Sequence, residues 1–181
     1  DPNYADAHSN MASALQAIGN LDSAIAHCDN ALAINPRFAP AHYNLGSVMH
    51  QKGELAAALR SYKQAYAINA TLAPAQVKSG QILHELGDLK GSIACLKSAL
   101  AIDPNAADVH FSLATVLHDS GNLGDAHDAY KCALELNLIA FVKYDSLTTL
   151  TFISKLSLLS NSISSTKVLS FSASVSASPE D

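Results

Sequence analysis

Three histidines recur at a fixed interval of 34 residues in this 181-residue chain, at His50, His84 and His118. A row of imidazoles is a pattern that can bind zinc, whose nitrogen ligands lie about 2.0–2.1 Å from the metal. Packed helices, however, lie about 8–10 Å apart, so side chains from successive structural units are too far apart to share one ion. The histidines are therefore predicted to form part of a polar wall, and no metal or other cofactor is expected.

The overall charge argues against two classes of partner. The formal net charge is -5, and the basic residues are scattered along the chain. Nucleic acids and anionic membranes both require clustered Lys and Arg, so neither is expected as a partner. The three cysteines, Cys28, Cys95 and Cys132, lack the spacing of a disulfide framework or a metal site. They are predicted to be free, buried thiols of a reducing compartment, namely the cytoplasm or alternatively the nucleus.

Glycine marks an internal repeat. It occurs every 34 residues and is followed each time by a polar residue and a leucine, at Gly19, Gly53, Gly87 and Gly121. Three further columns at the same step contain only alanine, glycine or serine: Ala12, Gly46, Gly80 and Ala114; Ala24, Ala58, Ser92 and Ala126; Ala31, Ala65, Ala99 and Ala133. Four copies of one structural unit are therefore predicted.

Each copy is predicted to contain two antiparallel helices. Apolar residues recur at helical spacing on both sides of each glycine. The glycine can adopt the left-handed conformation that ends the first helix, and the polar residue after it can cap the second. Small residues allow the two helices to approach closely. The predicted pairs are residues 6–18 with 22–34, 40–52 with 55–68, 74–86 with 90–102, and 108–120 with 124–136.

This pattern resembles the tetratricopeptide repeat (TPR), a 34-residue helix–turn–helix family. The resemblance covers residues 1–137 and implies an all-α fold, a right-handed superhelix (α-solenoid) of antiparallel helix pairs. The copies are residues 5–38, 39–72, 73–106 and 107–137. Pro2 lies 34 residues before Pro36, so residues 1–4 are interpreted as the end of a missing upstream copy. The chain departs from the family where an aromatic residue or a closing proline is expected, at His8, His42, Gln76, His110, Ala70 and Leu138.

The family's concave surface is lined mainly by the first helix of each pair. The resemblance therefore implies a groove that binds another protein. Amide, hydroxyl and imidazole groups dominate the columns expected there, and such groups can pair with the backbone of an extended peptide. The predicted groove residues, called the groove face below, are Asn10, Ser13, Asn44, Ser47, His50, Lys78, Gln81, His84, Ser112, Thr115, His118 and Asp119.

Three kinds of TPR protein remain open as the parent of this chain. The segment from Ala5 to Val48 is similar to the repeat region of O-linked N-acetylglucosamine transferases, in which an asparagine ladder holds the substrate; Asn10 and Asn44 match the ladder, whereas Lys78 and Ser112 break it. A scaffold with no enzyme attached is the alternative. A cochaperone that grips a terminal carboxylate is disfavoured, because only Asn44 fits its clamp. No catalytic constellation is present, so this chain is not expected to be an enzyme itself.

The composition changes abruptly after the fourth copy. Residues 138–181 contain 12 serines and no glycine, histidine or arginine, and the 34-residue columns stop. This Ser-rich tail is predicted to be poorly structured, and a splicing or frame change is one hypothesis for its origin. Leu138 stands where a proline would close the fourth copy, so the last helix is expected to continue through residues 138–144.

Overall fold

The described part of the chain is built entirely of α-helices. A computed structural model describes the backbone of residues 3–144 and the side chains of residues 4–138. Most of the helix ends agree with the sequence prediction to within one residue, and the all-α prediction is confirmed. The eight helices are α1 (Asn3–Ala17), α2 (Leu21–Ile34), α3 (Ala39–Gln51), α4 (Leu55–Ile68), α5 (Ala73–Glu85), α6 (Leu89–Ile102), α7 (Ala107–Asp119) and α8 (Leu123–Tyr144).

The two helices of each copy are joined by a tight glycine turn. In the second copy Gly53 has a φ of +79°, and its N–H donates to the carbonyl of His50 at 2.9 Å. The next N–H, that of Glu54, donates to the carbonyl of Met49 at 2.9 Å. These two bonds satisfy the last carbonyls of α3, and the left-handed backbone at Gly53 reverses the chain. The three other copies repeat the turn, with φ between 79° and 82° at Gly19, Gly87 and Gly121.

Polar side chains mark the starts and ends of the second helices. Asn20 and Asp88 cap α2 and α6 by accepting hydrogen bonds from the N–H groups of Ser23 and Gly91. Glu54 occupies the same position before α4 without such a bond. At the other end, the C-cap side chain accepts from the N–H two residues later, at Asn35, Asn69 and Asp103. This local turn directs the chain into the next first helix, which carries proline in its first turn in α3 and α5.

The core follows the small-residue columns. Each first helix packs on the second helix of its own copy, and each second helix packs on the next first helix. The alanines of the three columns are at most 3% exposed. Larger side chains fill the space between these columns, and buried clusters form along residues 4–138, for example around Tyr62 with Ile82 and around Leu96 with Leu117.

Two helix ends differ from the prediction by more than one residue. α1 begins at Asn3, within the segment interpreted as the end of an upstream copy. α8 continues to Tyr144, as expected from Leu138 in place of proline, so it includes the first residues of the predicted tail. The tail prediction otherwise concerns residues 145–181, which lie outside the described residues. The boundaries between copies stay predictions.

The expectation of three buried thiols is correct for Cys28 and wrong for Cys132. Cys28 is fully buried in the column that Tyr62 occupies in the next copy. Cys132 shares its column with Gln64, on the outer side of the second helices, and is exposed. Burial, with a smaller contribution from Asp29, raises the pKa of Cys28 to about 11. Cys95 is half-buried, and its pKa is also raised by burial.

The three thiols should therefore react at very different rates in the folded chain. Only thiolates react with disulfide reagents, so burial and a raised pKa both protect a cysteine. With an aromatic disulfide reagent at pH 8, we expect Cys132 to react first, Cys95 more slowly, and Cys28 only after the chain unfolds. Mass spectrometry of tryptic peptides would identify each site. Early labelling of Cys28 in the native chain would contradict the packing of α1 on α2.

A second prediction concerns the contact between Gly46 and Tyr62. A Cβ at Gly46 would lie 2.8 Å from Cδ1 of the Tyr62 ring, which is closer than real atoms approach. We expect Gly46→Ala to lower the free energy of unfolding by about 1 kcal/mol, because overpacking of about 1–3 kcal/mol exceeds the helix-propensity gain of about 1 kcal/mol. Urea denaturation measures the change. Gly124→Ala is the control, because a Cβ there meets nothing within 4 Å.

A double-mutant cycle separates this clash from other effects. Tyr62→Cys copies the first repeat, where Ala12 faces Cys28. In that background the same Gly46→Ala change should be neutral or stabilising, because the ring is gone and only the propensity gain is left. A loss of equal size in both backgrounds would show that the Tyr62 ring does not set the spacing of α3 and α4.

Candidate functional site

The groove face lies on the four first helices, α1, α3, α5 and α7. Each of its residues is at least partly exposed, and the exposed ones lie at the two ends of the row. α1 contributes Asn10 and Ser13; α3 contributes Asn44, Ser47 and His50; α5 contributes Lys78, Gln81 and His84; α7 contributes Ser112, Thr115, His118 and Asp119. The four helices are held in register by contacts through the second helices and by the side-chain bonds described next.

Contacts between polar side chains 35 positions apart connect successive first helices. Gln16 donates to the side-chain oxygen of Gln51 at 3.2 Å. His50 lies 3.4 Å from the carboxylate of Glu85. His84 donates through Nε2 to Oδ2 of Asp119 at 2.7 Å. The same step therefore joins α1 to α3, α3 to α5, and α5 to α7, and these three pairs are called the cross-helix ladder below. The predicted polar wall of histidines is thus built of side chains that bind one another.

The carboxylate of Asp119 is the most strongly held member of the ladder. Hydrogen bonding from His84, with a second contribution from His118 at 3.4 Å, lowers the pKa of Asp119 below its usual value. The group is thus ionised at neutral pH and accepts hydrogen bonds only. The side chains of His84 and Asp119 both remain partly exposed to solvent. This exposure fits an interaction surface better than the water-excluded environment of a catalytic base.

Asn44, one of the two asparagines predicted to hold a peptide, already forms hydrogen bonds within the array. Its amide nitrogen donates to the backbone carbonyl of Ser9 at 3.0 Å and to the Ser9 hydroxyl at 2.9 Å. Ser9 is 3% exposed, so this contact is part of the packing between α1 and α3. Asn10, by contrast, is exposed at the surface of α1. The two asparagines predicted to contact a peptide therefore have different environments.

The three histidines that replace the expected aromatic residue, His8, His42 and His110, form hydrogen bonds within the array. His42 donates through Nε2 to the carbonyl of Pro36 at 3.0 Å, and His110 makes the same bond to Pro104 at 3.0 Å. His8 and His27 share a hydrogen bond between their Nδ1 atoms at 2.8 Å. At the position where an aromatic residue was expected, an imidazole thus ties the first helix to the preceding loop or to its partner helix.

In two of the copies an aromatic pair joins the first helix to the second. Tyr43 packs on Tyr62 with ring centroids 5.4 Å apart, and Phe111 packs on Tyr130 at 5.6 Å. Burial raises the pKa of Tyr62 to about 12, and the nearby Ser47 hydroxyl opposes this rise. The two hydroxyls do not have the geometry of a hydrogen bond, so the phenol of Tyr62 is left without a partner. In the third copy the corresponding residues are Val77 and Leu96, both aliphatic.

Two cavities lie along this surface. One, of about 300 Å³, lies between α5, α6 and α7 and includes Gln81, His84, Ser112 and Thr115 of the groove face. The other, of about 340 Å³, lies where Pro74 and Lys78 face Asp103 and Asp108. The sequence prediction did not include Ser92 of the first cavity, and it did not foresee that Gln16 pairs with Gln51 and His50 with Glu85. A search for polar columns offset by 35 residues would have found the ladder.

Two further properties are found in the part of the chain that the structure describes. No three or more His, Cys, Asp and Glu side chains come close enough there to hold a metal ion. Among its helices, none combines the length and the apolar character that crossing a membrane demands.

Comparisons with known proteins agree with this architecture. A family model described as tetratricopeptide repeat matches residues 3–70, and one described as TPR repeat matches residues 80–121. No curated protein sequence matches the chain.

Several solved structures share the fold. "Crystal structure of MamA" has a TM-score of 0.72 and 24% sequence identity, covering 77% of this chain and 82% of that one. "Crystal structure of MamA protein" has a TM-score of 0.69 and 23% identity, covering 81% and 77%. "MamA 41-end from Desulfovibrio magneticus RS-1" has a TM-score of 0.67 and 22% identity, covering 76% of each chain. With the paired helices, the glycine turns and the two family models, these likenesses establish that the chain carries tetratricopeptide repeats.

Proposed function

We propose that this chain is a protein-binding module that holds an extended stretch of another polypeptide along the groove face. The observation that carries this proposal is the continuous row of partly exposed amide, hydroxyl and imidazole groups on α1, α3, α5 and α7. An extended peptide exposes alternating N–H and C=O groups, and side chains that both donate and accept hydrogen bonds suit such a partner. Repeat arrays provide elongated surfaces of this kind.

The dimensions of the array indicate the length of the partner. Neighbouring packed helices are spaced by about 8–10 Å, and an extended chain advances by about 3.3 Å per residue. Each copy therefore matches about three residues of the partner, and four first helices match a segment of about nine or ten. The partner is expected to be neither strongly acidic nor strongly basic, because the groove face and its ladder partners carry few formal charges, namely one lysine (Lys78) and two carboxylates (Glu85 and Asp119).

The resemblance to O-linked N-acetylglucosamine transferases supplies a finer hypothesis, namely that this chain is the substrate-binding region of such an enzyme. Asn10 is exposed and therefore accessible to a substrate chain, whereas the amide nitrogen of Asn44 is already bound to Ser9. A non-enzymatic scaffold is the alternative. Sequencing the parent gene separates them, since a downstream glycosyltransferase domain would support the first and its absence the second.

Peptide selection provides the direct test of groove binding. Peptides of twelve random residues displayed on phage would be selected on the full chain, and their affinities measured by isothermal titration calorimetry. We expect Asn10→Ala combined with Ser13→Ala to weaken binding by about fivefold to a hundredfold, because two hydrogen bonds are lost and each contributes about 0.5–1.5 kcal/mol. Both residues are exposed, so the melting temperature should stay unchanged.

A matched variant controls for nonspecific effects of losing a surface amide. Asn30 is an exposed asparagine on α2, the second helix of the same copy. Asn30→Ala should leave peptide affinity unchanged. Asn44→Ala differs from both, because it should also lower the melting temperature through loss of the bonds to Ser9. Selected peptides that bind equally well to the Asn10/Ser13 variant and to the unaltered chain would refute binding along the groove face.

A further inference from the structure

The cavity between α5, α6 and α7 has the size and lining of a pocket for one amino-acid side chain. Its volume of about 300 Å³ lies at the lower end of the range of about 300–1,000 Å³ for small-molecule sites. Leu96, Phe111 and Val116 supply apolar walls, and Ser92 supplies a hydroxyl. Because groove-face residues line it too, a polypeptide lying along that surface would pass over it.

Comparison with the other copies suggests what the cavity lacks. The column of Leu96 contains a tyrosine in copies two and four, Tyr62 and Tyr130. In copy two the Tyr62 ring fills the space beside Gly46; in copy three Leu96 meets Gly80, where a Cβ would lie 3.0 Å from the Leu96 Cγ. Leucine has neither an aromatic ring nor a phenol. The cavity therefore adjoins the point where the internal repeat replaces a tyrosine by a smaller side chain.

The hydroxyl of Ser92 is an independent sign of a missing partner. Ser92 is fully buried, and its Oγ forms no hydrogen bond with any described residue. A buried hydroxyl without a partner is unfavourable, because it has lost its hydrogen bonds to water and gained none in return. Other helical serines of this chain donate to the carbonyl four residues earlier, as Ser79 and Ser98 do. The column of Ser92 otherwise contains alanine, at Ala24, Ala58 and Ala126, so a hydroxyl at this position occurs in copy three alone. The phenol of Tyr62 in copy two is also buried and unpaired, but Ser92 is the one of the two that lines a cavity.

We propose that this cavity binds the side chain of a tyrosine in the partner polypeptide. The ring would rest on Leu96 and pack against Phe111, and the phenol would pair with the Ser92 hydroxyl. Phe111 is 58% exposed, so its ring is available for the edge-to-face contact that aromatic side chains prefer. This inference rests on the proposed function and deepens it, because it adds a specificity pocket to a surface that otherwise contacts peptide backbone.

The charge of the lining selects the unphosphorylated residue. Among the residues that line the cavity there is one carboxylate, Glu85, and there is no lysine or arginine. A phosphotyrosine carries a charge of about -1.5 to -2 and needs cationic partners. Its phosphate would enter this pocket beside the carboxylate of Glu85 and without a lysine or arginine. The imidazole of the lining, His84, is already bound to Asp119, so the phosphate charge would be poorly compensated. The pocket should therefore distinguish tyrosine from its phosphorylated form.

Nuclear magnetic resonance titration of the full chain tests the pocket directly. The probes are N-acetyl-L-tyrosinamide, the corresponding phenylalanine and leucine amides, and N-acetyl-phosphotyrosinamide. We expect saturable shifts of the Gly80, Ser92 and Val116 amide signals with the tyrosine probe, and an affinity about threefold to tenfold higher than for the phenylalanine probe. Phosphotyrosinamide should cause no saturable shift. Equal affinity for the tyrosine and phenylalanine probes, or no saturable shift with either, would overturn the proposal.

Variants of α6 assign the effect to the proposed atoms. Ser92→Ala restores the residue type of the other copies and should remove the preference for tyrosine over phenylalanine. Ser98→Ala on the same helix should leave that preference intact. Leu96→Tyr should fill the cavity and abolish probe binding; if it unfolds the chain, Phe111→Ala at the exposed wall should instead weaken binding. If the Ser92→Ala variant still prefers the tyrosine probe over the phenylalanine probe, the Ser92 hydroxyl does not bind the phenol.

Peptides selected on the groove face keep this inference separate from the proposed function. Replacing tyrosine by leucine in such a peptide should lower its affinity for the chain, and less so for the Ser92→Ala variant. Groove-bound peptides that show no loss on this replacement would overturn the pocket and leave the proposed function standing. If no peptide binds the groove face, the proposed function fails, and the tyrosinamide titration decides about the cavity alone.

Discussion

The close approach of two helices at alanine and glycine positions is the constraint on which the rest of the structure depends. Side chains at Ala12, Ala24 and Ala31 are fully buried, which shows that the helices of the first copy pack with almost no intervening atoms. The glycine turn enforces this approach, since a left-handed residue reverses the chain within three positions. Because the spacing within each copy is fixed in this way, the first helices of successive copies present the same faces side by side.

In copies one and two the size of the small residue at the centre of the first helix follows the side chain at the facing position of the second helix, whereas copy four combines Ala114 with Tyr130, which is only partly buried. Alanine faces cysteine in copy one (Ala12 and Cys28), and glycine faces tyrosine in copy two, where an added Cβ would meet the Tyr62 ring at 2.8 Å. Copy three keeps the glycine but replaces the ring by Leu96. Copy three thus combines the glycine of copy two with a side chain that is smaller than tyrosine. The cavity described above lies beside this pair, Gly80 and Leu96.

The sequence was sufficient to predict the features that depend on one column at a time. Period, helix pairs and turns follow from the spacing of glycine and small residues, and most helix ends are correct to within one residue. Features that depend on two columns were not predicted. The cross-helix ladder requires knowing that successive first helices are staggered, so that His84 meets Asp119 and not His118. The exposure of Cys132 was missed because its neighbouring column, that of Cys28, faces the core.

The cross-helix ladder also limits what the groove face can offer to a partner. His50 and His84 already pair with Glu85 and Asp119, and Asn44 already donates to Ser9, so these groups stabilise the array before any ligand binds. A partner that competed for them would have to break internal hydrogen bonds, and the net gain would be small because one bond replaces another. For the proposed partner, the groups without such commitments include the exposed Asn10 and Ser13 at one end and the cavity around Ser92 at the other. A polypeptide held by its backbone over α1 and by one side chain between α5 and α7 would use both.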